Sequence, residues 1–202
     1  MAVIYGIILA AGFSRRMGRP KALLPLGGST FLGTLLETYR SQEVPCWVVL
    51  SEDAERIAAA AGISPERVAV NPRPEEGPLS SFRIALRRVA AEVDAVFMHP
   101  VDHPLVRSAT LRRMIDAFEE SGAPIVLPVF QGRRGHPVLF GRRLFGELFE
   151  APLHEGARWV VRRHGAEVRE LEVADPGVCG NINTPEDYAT WIGDIDAGGQ
   201  DR

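Results

Sequence analysis

Short apolar runs alternate with longer segments of helical period along the 202 residues of the chain. Apolar runs typical of buried strands lie at 3–9, 46–50, 67–70, 95–99 and 124–129. Apolar positions three and four residues apart predict amphipathic helices at 30–42, 54–61, 80–91 and 108–120. This alternation indicates an α/β fold, a three-layer sandwich with a mostly parallel, Rossmann-like sheet, in which ligands bind at the carboxyl ends of the strands.

The alternation changes after residue 130. A loop rich in glycine and arginine is followed by a short apolar run, two helical pieces and one more strand, near 136–140, 142–149, 156–164 and 166–173. Thr184 is placed to cap a last helix, with Pro185 at its first position. We predict a single domain over 1–192 and a disordered tail over 193–202.

Composition narrows the class of protein. The formal charge of −3 lacks the basic excess of a nucleic-acid binder, and no apolar run reaches the length of a membrane span. The first residues are apolar but lack the basic segment of a signal peptide. Two cysteines cannot build a disulfide framework or a zinc knuckle. We therefore expect a soluble, cytoplasmic protein without a nucleic-acid or membrane partner.

The first strand runs directly into the loop LAAGFSRRMGRPK, residues 9–21, which holds the single lysine among 23 cationic residues. A turn of small residues exposes backbone N–H groups that can surround an anion. Lysine is a compact charge on a flexible stem, which suits a phosphate oxygen in a narrow turn. The loop matches neither of the two common phosphate-loop patterns, nor the GxSxG pattern around Ser14.

This loop resembles L-A-[AG]-G-x-S-x-R-M-G-x-x-K, the nucleotide-binding signature of MobA-like nucleotidyltransferases. Four further segments match that family in order and spacing, so that the resemblance covers 4–191: GPLSSFRIAL, PVDHPLV, GRRGHPVLF and NINTPEDY. The resemblance implies binding of a nucleoside triphosphate with Mg²⁺, or Mn²⁺, and transfer of a nucleotidyl group to an acceptor phosphate, with release of pyrophosphate. Ala11 fits the cytidylyl branch, where the guanylyl branch typically has LAGG, so the closest resemblance is to molybdenum cofactor cytidylyltransferases. The implied substrates are then CTP and molybdopterin, and a molybdoenzyme or its chaperone is a candidate partner.

The resemblance also assigns the site residues. Nucleotide binding falls to Leu9, Ala10, Ala11, Gly12, Ser14, Arg16, Lys21, Ser80 and Ser81. Catalysis falls to Arg16, Lys21 and Asp102, since cations must offset the repulsion between two phosphates. Metal binding falls to Asp102, which follows a strand end, and to Asn183. Acceptor binding falls to His103, Gly135, His136, Asn181 and Asn183.

Several residues allow more than one interpretation. Ser80 and Ser81 could instead cap the helix that follows them. The family commonly has GDMP where this chain has VDHP, and often an aspartate where Asn181 stands, so the acceptor and the second metal ligand stay open.

Three other functions also stay open. The family loop is compatible with a different nucleotide and with a sugar phosphate or a phospholactate as the acceptor. The segment HPVDH could be read as the metal site of a hydrolase, with His99, Asp102 and His103 as ligands. A non-catalytic regulator of the same fold is the third alternative.

Overall fold

Ten strands and seven α-helices occur in the residues that the computed structural model describes, 1–51 and 53–198, with side chains described as far as residue 192. In chain order they are β1 (Ile4–Leu9), β2 (Pro25–Leu26), β3 (Ser29–Thr30), α1 (Phe31–Arg40), β4 (Cys46–Leu50), α2 (Ala54–Ala60), β5 (Val68–Val70), α3 (Pro78–Val89), β6 (Ala95–Pro100), α4 (Ser108–Ser121), β7 (Ile125–Phe130), β8 (Arg133–Arg134), β9 (Val138–Gly141), α5 (Phe145–Glu150), α6 (Arg158–Arg163), β10 (Val168–Glu172) and α7 (Pro185–Gly198). The strands and helices predicted up to residue 130 are all present, because each has a clear period of its own.

One large sheet runs through the described residues in the order β10-β7-β9-β6-β1-β4-β5, with β8 paired to β7. β1 pairs in parallel with both β4 and β6, β4 with β5, and β7 with β10. β9 is antiparallel to both of its neighbours, β6 and β7. The predicted α/β fold with a mostly parallel sheet is therefore confirmed.

The core lies on both faces of this sheet. Ile8 of β1 packs in a buried cluster with residues of α1, α2 and α4, whereas Ile7 and Leu9 pack in a second cluster with residues of α3, α5 and α6. A strand buried on both faces needs apolar residues at successive positions, and 3–9 has this pattern. The layers are helix, sheet and helix, as the sequence predicts.

The periodicity did not predict a small hairpin after the first loop. β2 and β3 pair in an antiparallel manner, and Gly27 and Gly28 between them have φ values of 52° and 80°. Two successive positive φ angles suit a two-residue hairpin turn and favour glycine. The hairpin precedes α1, whose N-cap is Thr30.

Two helix starts test the predicted caps. Thr184 accepts a hydrogen bond from the N–H of Asp187 at 3.1 Å, so the cap of α7 is confirmed. α3 begins at Pro78 with Gly77 as N-cap, and Ser80 and Ser81 lie inside its first turn. The prediction that these serines cap the helix is therefore wrong, since the helix starts two residues earlier than its apolar period indicates.

The end of the chain is described only in part. The tail predicted from residue 193 onward begins within α7, and residues 199–202 lie outside the described residues. Its disorder therefore stays a prediction, as does the single domain over 1–192. Over the described ranges, no helix has both the length and the apolarity needed to cross a membrane.

Candidate functional site

A small cavity of about 260 Å³ lies where β1 and β6 end, which is the carboxyl edge of the parallel strands. Nine residues of the predicted site line this small cavity: Leu9, Ala11, Gly12, Ser14, Arg16, Lys21, Ser81, Asp102 and Asn183. Two predicted nucleotide residues do not line it. Ala10 lines a neighbouring cavity instead, and Ser80 is buried beneath the start of α3. The structure thus brings most of the predicted nucleotide residues to one place.

The loop between β1 and the hairpin is held by its own contacts. Ser14 adopts a left-handed conformation with φ 50°, and its hydroxyl oxygen accepts a hydrogen bond from the N–H of Lys21 at 3.0 Å. Gly18 also has a positive φ, 67°, where the loop turns again. The left-handed region is costly for residues other than glycine, so the Ser14 contact offsets strain while it fixes the backbone of Lys21.

Three side chains from distant parts of the chain meet at the centre of the small cavity. The ammonium of Lys21 lies 3.3 Å from Oδ2 of Asp102 and 2.5 Å from Oδ1 of Asn183. The side chains of Lys21 and Asp102 are only 13% and 22% exposed. Water therefore screens this ion pair less than a surface pair. The single lysine of the chain therefore contacts both of the side chains that the sequence predicts to bind a metal.

The segment before α7 is hydrogen-bonded to the turn that follows β6 and carries Asp102. The N–H of Ile182 donates to the carbonyl of Asp102 at 2.8 Å. An ammonium can only donate, so Asn183 presents its oxygen to Lys21, and its Nδ2 donates to Oδ1 of Asn181 at 2.5 Å. Asn181 is exposed and does not line the small cavity. In this structure Asn181 orients Asn183, and its predicted contact with the acceptor stays a prediction.

A buried asparagine that sequence reasoning missed supports the opposite wall. Asn71 follows β5 directly, and its Nδ2 donates to the hydroxyl oxygens of Ser80 and Ser81 at 3.0 and 2.9 Å. Its Oδ1 accepts from the N–H of Arg73 at 2.9 Å. The Ser81 oxygen accepts from Asn71, and its hydroxyl still has a proton to donate where the residue lines the small cavity. A polar residue immediately after a predicted strand was the available signal.

A large cavity of about 690 Å³ adjoins the small one and shares Gly77, Pro78 and Pro100 with it. Its apolar lining comes from Leu79, Met98, Leu127, Val138 and Phe140. Its basic residues are Arg134, His136, His154, Arg158 and Arg162, opposed by Glu75, Glu76 and Glu155. Two predicted acceptor residues, Gly135 and His136, therefore lie in this large cavity.

Gly135 is required by a close approach of two backbone segments. A Cβ at this position would lie 2.4 Å from the carbonyl oxygen of Val178. The N–H of Gly135 donates to the carbonyl of Pro128, and the N–H of the next residue, His136, donates to that of Val178, both at 2.8 Å. A larger residue at position 135 would separate the segments and displace His136 from the large cavity.

His103 and His136 meet beside the turn that follows β6 and carries Asp102, with ring centroids 4.8 Å apart. Their Nδ1 atoms are buried and have no hydrogen-bond partner among the described residues. Burial lowers the pKa of His103, and burial together with the neighbouring ring lowers the pKa of His136 to about 4. Both rings are therefore neutral at pH 7. His136 lines the large cavity, whereas His103 is buried and lines neither cavity, so its predicted contact with the acceptor stays a prediction.

The third histidine of this region rules out the hydrolase interpretation. His99 is fully buried, and its two ring nitrogens contact the Tyr39 hydroxyl at 3.0 Å and the His103 carbonyl at 3.1 Å. No nitrogen of His99 is left for a metal. In the described part of the chain, no group of three histidine, cysteine or acidic residues has the arrangement of a metal site. The prediction of a His99, Asp102 and His103 site is therefore wrong.

The residues around Lys21 do fit a magnesium or manganese ion. Asp102 contributes a carboxylate and Asn183 an amide oxygen, and both already converge on one positive charge. Mg²⁺ prefers oxygen ligands and is commonly bound by one or two protein oxygens together with substrate phosphates and water. Asn183 is a neutral ligand, so most of the attraction for the ion would come from Asp102 and from the phosphates.

The sequence profile of the MobA-like NTP transferase domain matches residues 6–168. The molybdenum cofactor guanylyltransferase of Rhizobium meliloti (strain 1021) is 32% identical over 90% of this chain and 87% of its own. The molybdenum cofactor cytidylyltransferase of Escherichia coli (strain K12) is 28% identical over 94% and 96%. The nicotine blue oxidoreductase of Paenarthrobacter nicotinovorans is 29% identical over 91% and 93%.

Solved structures show the same likeness. The crystal structure of Rv0371c from Mycobacterium tuberculosis H37Rv superposes with a TM-score of 0.80 at 32% identity, and the match covers 95% of this chain and 98% of that one. The complex of Rv0371c with manganese has a TM-score of 0.75 at 31% identity and covers 94% and 98%. The similarity therefore extends over nearly the whole of both chains.

Proposed function

We propose a function for this chain, which belongs to the MobA-like NTP transferase family and is a nucleotidyltransferase. It acts in molybdenum cofactor biosynthesis by transferring CMP from CTP to the phosphate of a molybdopterin-type acceptor. The observation that carries this proposal is the convergence of Lys21, Asp102 and Asn183 in the small cavity, beside the glycine-rich loop. Pyrophosphate is the other product.

The chemistry requires charge neutralisation and alignment more than covalent participation. An attacking phosphate and a triphosphate repel each other, and Lys21 and Arg16 supply positive charge from the same loop. Lys21 stabilises the charge that develops on the leaving pyrophosphate, and the loop N–H groups hold the triphosphate. Asp102 and Asn183 would hold Mg²⁺, which supplies Lewis-acid stabilisation of phosphate oxygens when bound.

The large cavity is the proposed binding site of the acceptor. It opens directly onto the small cavity at Gly77, Pro78 and Pro100, so an acceptor phosphate there reaches the triphosphate. Its apolar lining suits a planar ring system, and its arginines suit an anionic substituent. A sugar phosphate would leave much of the apolar lining uncovered, which makes it the weaker alternative. Delivery of the product to a molybdoenzyme or its chaperone belongs to the same proposal.

The choice of CTP rests on Ala11. This residue is buried, packs in the same core cluster as Ile7 and Leu9, and lines the small cavity. Glycine at this position, as in the guanylyl branch, would leave more room for a purine. GTP is the competing donor, because relatives of similar identity are named as guanylyltransferases and as cytidylyltransferases.

Calorimetric titration of CTP, GTP, ATP and UTP in the presence of Mg²⁺ tests the proposal without the unstable acceptor. We expect CTP to bind most tightly, Lys21→Ala to lose this binding, and Ala11→Gly to shift the preference toward GTP. Arg19→Ala is the matched control, because Arg19 is an exposed cation of the same loop that does not line the small cavity. Tighter binding of a nucleotide other than CTP would replace CTP as the proposed donor. Absence of binding by all four nucleotides would contradict nucleotidyl transfer.

A further inference from the structure

Two polar side chains lie within the apolar core beneath the turn that follows β6 and carries Asp102. Tyr39 of α1 and His99 of β6 are both fully buried, and the Tyr39 hydroxyl lies 3.0 Å from Nδ1 of His99. The other ring nitrogen of His99, Nε2, lies 3.1 Å from the backbone carbonyl oxygen of His103. Burial of polar groups is costly, so a pair of this kind at the centre of the core calls for an explanation.

The contacts define the tautomer of His99. A carbonyl oxygen can only accept, so Nε2 carries the proton and donates to His103. Nδ1 then has a free electron pair and accepts from the hydroxyl of Tyr39. Burial lowers the pKa of His99 to about 3, so the ring is neutral. The His103 carbonyl therefore selects the tautomer of His99, and Tyr39 supports it by donating to the ring nitrogen that has no proton.

The carbonyl that His99 holds belongs to the turn that carries Asp102. This turn follows β6 and is tied down on several sides: Val101 donates to the carbonyl of Leu9 at 3.0 Å, and the carbonyl of Asp102 accepts from Ile182 at 2.8 Å. The hydrogen bond from His99 is a side-chain contact that reaches this turn from the core below. Its loss would free the His103 carbonyl to rotate, and the Asp102 carboxylate with it.

We propose that Tyr39 and His99 are positioning residues that hold the Asp102 carboxylate at its place opposite Lys21, by fixing the carbonyl of His103. This inference rests on the proposed function for the role of Asp102. A purely structural role predicts a loss of stability with an unchanged Asp102 carboxylate in the folded protein, because Tyr39→Phe and His99→Leu replace two of the three buried polar groups and leave the His103 carbonyl without its donor. The double variant Tyr39→Phe/His99→Leu separates the two roles.

The kinetic test compares four variants with the wild type. We expect His99→Leu and the double variant to lower kcat about tenfold, the equivalent of one lost hydrogen bond, with little change in the KM for CTP. Both variants should also need more Mg²⁺ for half-maximal turnover. His99→Gln, whose amide can still donate to His103, should recover most of the activity. Thr38→Val is the matched control, since it removes a half-buried hydroxyl contact to the Thr34 carbonyl that lies within α1.

The deciding measurement uses NMR of the folded protein and does not depend on nucleotide transfer. The ring nitrogen shifts of His99 should show the proton on Nε2, and the carboxyl carbon shift of Asp102 should move in His99→Leu and in the double variant but not in Thr38→Val. A proton on Nδ1, or an Asp102 shift and a kcat that both stay at wild-type values in folded His99→Leu, would overturn the inference. Expected NMR shifts in a protein that transfers no nucleotide would leave the positioning intact and refute the proposed function alone.

Discussion

The two adjoining cavities are built in different ways. The small one is centred on Lys21, Asp102 and Asn183, whose charged and polar atoms contact each other. The large one has an apolar lining and a margin of arginines, of which Arg134 and Arg162 are paired with glutamates. Under the proposed function, reaction and recognition would be separated: a centre of polar contacts suits charge stabilisation in the transition state, and an apolar cavity suits selection of a ring system.

The largest effect is expected from removal of the Asp102 charge. Asp102→Asn should lower the rate of pyrophosphate release by about a hundredfold to a thousandfold, as the loss of one preorganised electrostatic contact does. Higher Mg²⁺ should restore part of the rate. The control is Asp116→Asn, which neutralises a surface carboxylate paired with Arg112 on α4. Full Mg²⁺-dependent activity of Asp102→Asn would contradict its place at the reacting centre.

The second effect concerns the shape of the cation in the small cavity. Lys21→Arg keeps the charge but puts a broad, planar guanidinium in a space that the ammonium shares with Asp102 and Asn183. We expect kcat to fall about tenfold while the affinity for CTP changes less, because one misplaced contact acts in the transition state. Steady-state kinetics check this, with Arg19→Lys as the reverse exchange in the same loop. Wild-type turnover would mean that charge alone is needed.

A smaller effect, confined to the acceptor, is expected in the large cavity. Arg158→Ala removes a basic side chain from its margin. The KM for molybdopterin should rise about tenfold, equivalent to one charge-assisted hydrogen bond, with no change in calorimetric CTP binding. Arg163→Ala is the matched control on the same helix, where Arg163 packs over Trp159 and does not line the cavity. A weaker affinity for CTP would show that the two cavities are not separate in function.

The smallest effect is on stability and distinguishes a cavity histidine from a surface one. His136 is neutral in the folded state because burial holds its pKa at about 4, whereas the unfolded chain takes up a proton below about pH 6.5. The free energy of unfolding should therefore decrease as the pH falls from 6.5 toward 4, because only the unfolded state then binds a proton at His136. Its replacement in His136→Gln should flatten this part of a plot of urea midpoint against pH.

The surface histidine should behave in the opposite sense. Hydrogen bonds from His164 to Glu167 and Glu147 raise its pKa above the usual 6.5. Its contribution is complete below pH 6.5 and lost as pH rises through the raised pKa, since the folded state then binds more protons than the unfolded state. His164→Gln should remove only this decrease in the free energy of unfolding, and the effect should be small because water reaches all three side chains. Slopes of the same sign for both histidines would contradict the assignment.

The sequence was most informative where a feature is local. The apolar period of each strand and helix is a property of neighbouring residues, which is why β1, α1, β4 and α4 lie close to their predicted bounds. The loop from Leu9 to Lys21 is equally local, because its small residues and its single lysine follow one strand without interruption. Its resemblance to the MobA-like family, which the profile match confirms, depended on that continuous string.

What the sequence alone determined is therefore the α/β fold, the family and the set of residues near the nucleotide loop. Only the tertiary structure decided that Asn71 supports Ser81, that Asn181 orients Asn183, and that His99 holds a carbonyl instead of a metal. The physical reason is that each of these roles depends on which atom of a polar side chain meets which partner. Partners separated by many residues are brought together only when the sheet and its connecting segments pack.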